Sequence, residues 1–198
     1  MASTIEMPKS WWARNAHGLK TVFRLLLGVA WLVNGVLKFT SGYVDSFLSD
    51  VQNSQASAPS WLSGWYSFWA TQASSNASLI VYTVGALEIV LGLALLLGFA
   101  RKIAYSGGAV LSLLIWAIPE GFGGPYQGGS GGTDIGTGVV YAIAFLGLIV
   151  INATYGPSRW SLDHLIERLY PRWSRIAEFG GRAAISAPTG GRVPSPAK

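Results

Sequence analysis

The sequence contains no cysteine and only two histidines, and charged residues make up 12% of its 198 positions. Without cysteine, the chain cannot form disulfides, iron–sulfur clusters or thiolate zinc sites. His17 and His164 lie outside the apolar runs, so they do not form a pair of haem ligands at membrane depth. The carboxylates are too scattered to predict a metal site, and no motif indicates a flavin or nucleic-acid partner. Ser/His nucleophilic catalysis also has no candidate constellation.

The shortage of charge accompanies an excess of apolar residues. Hydrophobic residues reach 51% and the mean hydropathy is +0.39, whereas soluble domains carry about 25% charged residues. The nine tryptophans and eight tyrosines are typical of proteins that place aromatic side chains at both membrane interfaces. The composition therefore indicates an integral protein of the lipid bilayer.

Four apolar runs predict membrane spans. They are Leu19–Thr40, Leu79–Ala100, Ile103–Ile118 and Ile135–Thr154. Each of the first two gives about 33 Å of helix, enough for a hydrocarbon core of about 30 Å, while the third run is short. The predicted fold is an all-α integral membrane four-helix bundle with short interfacial helices. Residues 1–18 precede this membrane domain of residues 19–155, and residues 156–198 form an amphipathic helix and a linker-like tail.

Basic residues fall on one side of the predicted spans. The loops 41–78 and 119–134 contain no lysine or arginine, whereas residues 1–18 and 156–198 contain several. Because positively charged segments stay in the cytoplasm, we expect a multi-pass protein of the cytoplasmic membrane with both termini inside.

Two segments outside the spans have helical patterns. In loop 41–78, aromatic residues recur at helical spacing on both sides of Pro59. These short helices either anchor the loop in the interface or cover a site at the outer end of the bundle. After the fourth span, Ser161 is a suitable N-cap for SLDHLIERLY, and the nearby arginines predict a helix on the anionic inner leaflet.

The first span carries polar residues on one helical face. Arg24, Gly28, Trp31, Gly35 and Lys38 follow at intervals of four, three, four and three residues, and Asn34 flanks them. The two glycines allow a second helix to approach closely. Lys38 either extends to the interface or serves a site on the outer side.

Glu88 lies near the middle of the second span, where a charge is costly. Gly85 and Gly92 share its helical face, so Glu88 is expected to point into a close helix–helix contact. It either pairs with Lys38 or Asn34, or is protonated because it is buried. Its role is either an interhelical staple or proton handling and ligand binding.

The stretch GGPYQGGSGGTDIGTG, residues 123–138, separates the last two spans. It matches no dinucleotide or phosphate fingerprint, so it is either a linker or a ligand-binding loop. Thr133 or Asp134 is expected to N-cap the fourth span. Within that span, Tyr141 either packs in the interior or donates a hydrogen bond to a ligand carbonyl.

Three motifs resemble the DoxX/DoxD membrane family. They are RLLLGVAWLVNGVLKF at residues 24–39, EIVLGLALLLG at 88–98 and GGTDIGTG at 131–138. The first two are typical of DoxX proteins, and the third is similar to the DoxD branch, the membrane subunit of thiosulfate:quinone oxidoreductase. The resemblance covers residues 20–155 and includes the polar positions Arg24, Asn34, Lys38, Glu88, Thr133 and Asp134.

The resemblance implies oxidation of thiosulfate to tetrathionate with a membrane quinone as electron acceptor, together with a DoxA-like partner subunit. The alternative is a non-catalytic DoxX module that assembles with a redox complex. From their chemistry, we predict catalytic roles for Glu88 and Lys38. Substrate or quinone binding is predicted for Trp31, Asn34, Thr133, Asp134 and Tyr141.

Overall fold

The structure, a computed structural model, describes residues 11–123, 135–155 and 160–179. Its regular elements are helical, and the described residues form no strand. Seven α-helices follow in chain order: α1 (Trp11–Leu37), α2 (Tyr43–Ser57), α3 (Ser63–Leu97), α4 (Arg101–Ala117), α5 (Thr137–Tyr155), α6 (Leu162–Leu169) and α7 (Ser174–Ala177).

Four long helices form the predicted bundle. Helix α1 packs along α3 and α4 along α5, and α1 also contacts α5, whereas α3 and α4 make few contacts. Three segments are long and apolar enough to cross a membrane, namely His17–Leu37, Ser60–Leu97 and Thr137–Tyr155. Helix α4 has 17 residues, or about 25 Å, as expected for the short third run. The all-α membrane fold is confirmed.

Glycines bring α1 and α3 into close contact. A Cβ atom added at Gly35 would lie 2.8 Å from the carbonyl oxygen of Gly85, and one at Gly92 would lie 2.7 Å from the backbone nitrogen of Leu32. Both obstacles are backbone atoms, which cannot move aside as a flexible side chain can. The glycine-marked faces predicted for the two spans therefore meet each other.

We expect Gly92→Ala to lower the free energy of unfolding by about 1–3 kcal/mol, because the added methyl group overpacks the α1–α3 contact. Gly147→Ala in α5 is the matched control, since its Cβ would meet nothing within 4 Å and alanine favours helix by about 0.5–1 kcal/mol. Thermal unfolding of both variants in detergent micelles is the measurement. Equal melting temperatures for the two variants would contradict the close contact.

Helix α3 consists of two helical segments. The aromatic segment after Pro59 and the second span meet at a kink at Asn76, whose dihedral angles are non-helical (φ −138°, ψ 25°). The two helices predicted for this stretch are therefore present, and they follow each other without an intervening loop. Residues 63–97 contain no proline, so no missing backbone donor causes the kink.

Helix α2 covers the end of the bundle at which α1 finishes, called here the α2 end. Its buried side chains Phe47 and Val51 pack with Ala70, Val81 and Ile118. Two polar side chains of α3 also bond to the end of α4. The ring nitrogen of Trp65 and the hydroxyl of Tyr66 both donate to the carbonyl oxygen of Ala117 at 3.2 Å. Thus α2 is a packed part of the fold.

The opposite end, called the α6 end, is closed by the segment after α5. Ser161 caps α6 as predicted, because its hydroxyl accepts a hydrogen bond from the His164 backbone N–H. Asp163 is completely buried and accepts hydrogen bonds from the backbone N–H groups of Ala100 and Arg101. A carboxylate more than 60 residues away therefore holds the α3–α4 turn. The sequence predicted a helix on the inner leaflet and did not predict this contact.

Candidate functional site

A polar cavity of about 240 Å³ lies inside the bundle near the α2 end. It brings together five of the seven predicted site residues. They are Trp31, Asn34, Lys38, Glu88 and Tyr141. The remaining lining residues are Leu37, Tyr43, Ser112, Ile115, Glu120, Thr137 and Gly138. Side chains of α1, α3, α4 and α5 thus converge on one interior space.

An ion pair forms one wall of the polar cavity. The Lys38 Nζ lies 2.7 Å from the Glu88 Oε2, and Glu88 is 1% exposed. Of the alternatives open for Glu88, the structure therefore shows the pair with Lys38. Lys38 also lies over the ring of Tyr43, 5.1 Å from its centroid, so α2 helps to hold the ammonium group in place.

An indole donor lines the same cavity. The Nε1 of Trp31 is buried and has no hydrogen-bond partner among the described residues. The Trp31 ring meets Tyr141 edge-on and Phe145 at a tilt, each with centroids 5.6 Å apart. These contacts fix the orientation of the ring. An unpaired buried donor such as this N–H group lowers the stability of the folded protein by about 1–3 kcal/mol. A ligand with an acceptor oxygen would satisfy this N–H group.

Glu120 also lines the polar cavity, although it was not among the predicted site residues. Its Oε2 accepts a hydrogen bond of 2.8 Å from the Gly138 backbone N–H, where a negative charge favours the start of α5. Helix α5 begins at Thr137 in the structure, so the predicted cap by Thr133 or Asp134 stays a prediction. Thr133 and Asp134 themselves lie outside the described residues. The only sequence signal for Glu120 was a single carboxylate after a span.

The charges of the cavity determine which ligands suit it. The described lining residues include one basic side chain, Lys38, and two carboxylates, those of Glu88 and Glu120. Because carboxylates outnumber the basic group, they would repel an anion. They would not repel a neutral ligand that carries acceptor and donor groups. Within the described residues, no three His, Asp or Glu side chains form a group that could hold a metal ion.

A second, apolar cavity of about 360 Å³ adjoins the first. Both cavities are lined by Lys38, Tyr43 and Ile115. The other walls are residues of α2, α3 and α4 and the turn after α4: Ser46, Phe47, Asp50, Trp69, Ile80, Val81, Val84, Leu111, Leu114, Ile118 and Pro119. Asp50 lies at the α2 side, where burial raises the pKa of its carboxyl.

Arg24, the remaining polar residue of the α1 face, lies apart from both cavities at the α6 end. It is buried and donates to the carbonyl oxygen of Trp160. Nearby, Arg101 contacts Asp163 at 2.9 Å and also Glu178. Burial raises the pKa of Glu178. This cluster joins the C-terminal segment to the bundle.

Fold and site together define a helical membrane protein with a buried ion pair beside an internal polar cavity. A family model described as DoxX matches residues 19–120, which is just over half of the chain. The chain therefore belongs to the DoxX family. No curated protein and no solved structure matches the chain. The matched residues include the ion pair and Glu120 but end before Tyr141.

Proposed function

We propose that this DoxX protein is the membrane subunit of a quinone-linked oxidoreductase and that its polar cavity binds the quinone headgroup. The observation that carries the proposal is the buried Lys38–Glu88 pair facing the same cavity as the unpaired Trp31 donor. A quinone is neutral and has two carbonyl oxygens, so it suits a cavity in which carboxylates outnumber the basic group. The indole N–H of Trp31 and the ammonium group of Lys38 are suitable donors to those oxygens.

Reduction of a quinone to a quinol takes up two electrons and two protons. In our proposal, Glu88 handles a proton at the cavity wall and Lys38 stabilises the carboxylate when that proton has left. Proton transfer by a positioned side chain typically contributes about 10²–10⁴-fold to a rate. Trp31 and Tyr141, which line the same cavity, orient the ring. This division of roles needs no protein-bound metal.

The resemblance to DoxD proteins suggests thiosulfate as the electron donor. Two thiosulfate ions form one tetrathionate ion through a new sulfur–sulfur bond and release the two electrons that the quinone accepts. Thiosulfate is a dianion, and the negative excess of the polar cavity disfavours it there. We therefore place its oxidation on a DoxA-like partner or at the loop that contains Thr133 and Asp134, with this chain supplying the quinone site.

The purified protein in lipid nanodiscs, without oxygen, tests the proposal. With thiosulfate and a membrane quinone, we expect quinol and tetrathionate to form in equal amounts, and neither to form when thiosulfate is omitted. Quinone binding without turnover, followed by turnover when a DoxA-like subunit is added, would place the thiosulfate site on the partner. Failure of every quinone to bind would overturn the proposal and favour the non-catalytic module.

The charge distribution supports an orientation with the α6 end in the cytoplasm and the α2 end outside. Because the chain lacks cysteine, labelling of a single introduced cysteine shows on which side of the membrane that position lies. A cysteine at exposed Gln52 in α2 is expected to react with a membrane-impermeant reagent in intact cells, and one at exposed Arg172 only after lysis. A cysteine at buried Val51 is the control for accessibility. The reverse pattern would invert the orientation.

A further inference from the structure

The apolar cavity has no part in the proposed chemistry, yet it adjoins the polar cavity. Its walls come from α2, α3 and α4, and Lys38, Tyr43 and Ile115 line both spaces. Its volume lies within the range of ligand-binding cavities. A polar compartment at the ion pair and an apolar compartment under α2 therefore share these three side chains.

We infer that the apolar cavity holds the prenyl tail of the quinone, so that the substrate is a long-tailed lipid quinone. This inference rests on the proposed function. In prenylated quinones the tail is attached to the ring carbon beside a carbonyl carbon. A headgroup with that carbonyl directed towards Lys38 places the tail at Tyr43 and Ile115, where the two compartments meet.

The arrangement of the helices offers the tail a route from the bilayer. Helices α3 and α4 are consecutive but make few contacts, and the apolar cavity lies between them with α2 above. Val84 of α3 and Leu111 of α4 line its interior, while Leu114 lines it and is also 43% exposed on the outer surface of the bundle. The cavity wall thus reaches the side of the bundle that faces lipid.

The tail is expected to contribute selectivity more than affinity. Lipid chains are as apolar as leucine side chains, so moving a prenyl chain from the bilayer into this cavity changes its hydration little. Hydrogen bonds to the headgroup provide the attraction, and the shape of the apolar cavity determines which tails fit. Filling the cavity should therefore exclude tailed quinones by steric overlap and leave headgroup binding unchanged.

Val84→Phe fills the apolar cavity, and Val90→Phe makes the same change on the exposed face of the same helix. The measurement is the dissociation constant in nanodiscs, expressed per lipid, for a tailless naphthoquinone (menadione), its prenylated counterpart and the corresponding pair of benzoquinones. We expect Val84→Phe to weaken binding of the prenylated quinone at least tenfold and to leave the tailless one unchanged. Val90→Phe should change neither.

The outcomes separate the two proposals. If Val84→Phe binds both quinones as the unaltered protein does, or loses both while still folded, the tail assignment is overturned and the headgroup site remains. If the unaltered protein binds no quinone, the proposed function itself fails. Mass spectrometry of lipid retained by the purified protein gives a further test. Loss of a phospholipid from Val84→Phe with unchanged quinone binding would assign the cavity to an acyl chain and overturn the inference.

Discussion

Replacement of Asp163 by alanine is expected to lower the free energy of unfolding by about 3–5 kcal/mol, because it removes one of the carboxylates that pair with the buried Arg101 guanidinium group and leaves several buried N–H donors unpaired. Asp163 contacts the Nε of Arg101 at 2.9 Å, and neither side chain is more than 1% exposed. The same carboxylate accepts hydrogen bonds from the Ala100 backbone N–H and the Trp173 ring nitrogen. One substitution thus removes an ion pair and several hydrogen bonds together.

The backbone increases this effect. Ala100 has φ +46°, a left-handed conformation that is unfavourable for a residue with a Cβ. The Asp163 carboxylate holds the N–H group of this residue at 2.7 Å. Without the carboxylate, the α3–α4 turn loses the bond that fixes it, and α6 keeps the backbone hydrogen bond from residue 163 to Gly98 but loses its buried ion pair with the bundle.

Asp45→Ala is the matched control, since Asp45 is an exposed carboxylate in the first turn of α2. We expect it to cost about 0.3–1 kcal/mol through the helix dipole alone. Denaturant unfolding in micelles, followed by circular dichroism, measures both variants. An Asp163→Ala protein as stable as Asp45→Ala would show that the α6 end does not depend on this carboxylate.

The sequence predicted the parts of the fold that depend on local spacing. Glycines at Gly28 and Gly35 mark one face of α1, and Gly85 and Gly92 mark one face of α3. Their contact follows because glycine allows helices to approach closely. The same spacing places Lys38 and Glu88 on the contacting faces. A charge at membrane depth needs an interior partner, so Lys38 was one of the two partners predicted for Glu88, and spacing alone did not decide between Lys38, Asn34 and a protonated Glu88.

Contacts between distant segments could not be read from spacing. The sequence assigned no partner to Asp163, and nothing in its neighbourhood signals Arg101. Glu120 was similarly assigned no role, because its partner, the Gly138 N–H group, lies 18 positions further along the chain. The continuity of α3 depends on Asn76 tolerating a kink, which the residue types alone do not decide. The apolar cavity arises from the separation of α3 and α4, and no sequence motif encodes that separation.

Replacement of Glu88 by glutamine is expected to reduce quinone reduction about 100-fold or more, because it removes the proposed proton-handling group. The amide keeps the shape of the side chain and can still accept a hydrogen bond from Lys38. Quinone binding should therefore change little, whereas the melting temperature should fall because the buried Lys38 loses its charge partner; the rate is measured well below that temperature. Glu167→Gln is the matched control, since Glu167 lies 3.9 Å from Arg101 at the other end of the bundle and lines neither cavity.

The rate of quinol formation by Glu88→Gln, measured at saturating quinone together with its dissociation constant, tests the central claim most directly. The purified protein is assayed with thiosulfate, or with the DoxA-like subunit present if the unaltered chain needs it. We predict a rate about 100-fold below that of the unaltered protein and of Glu167→Gln, with quinone still bound. A Glu88→Gln protein that forms quinol at the unaltered rate would contradict the proton role of this residue and leave the Lys38–Glu88 pair as a structural contact.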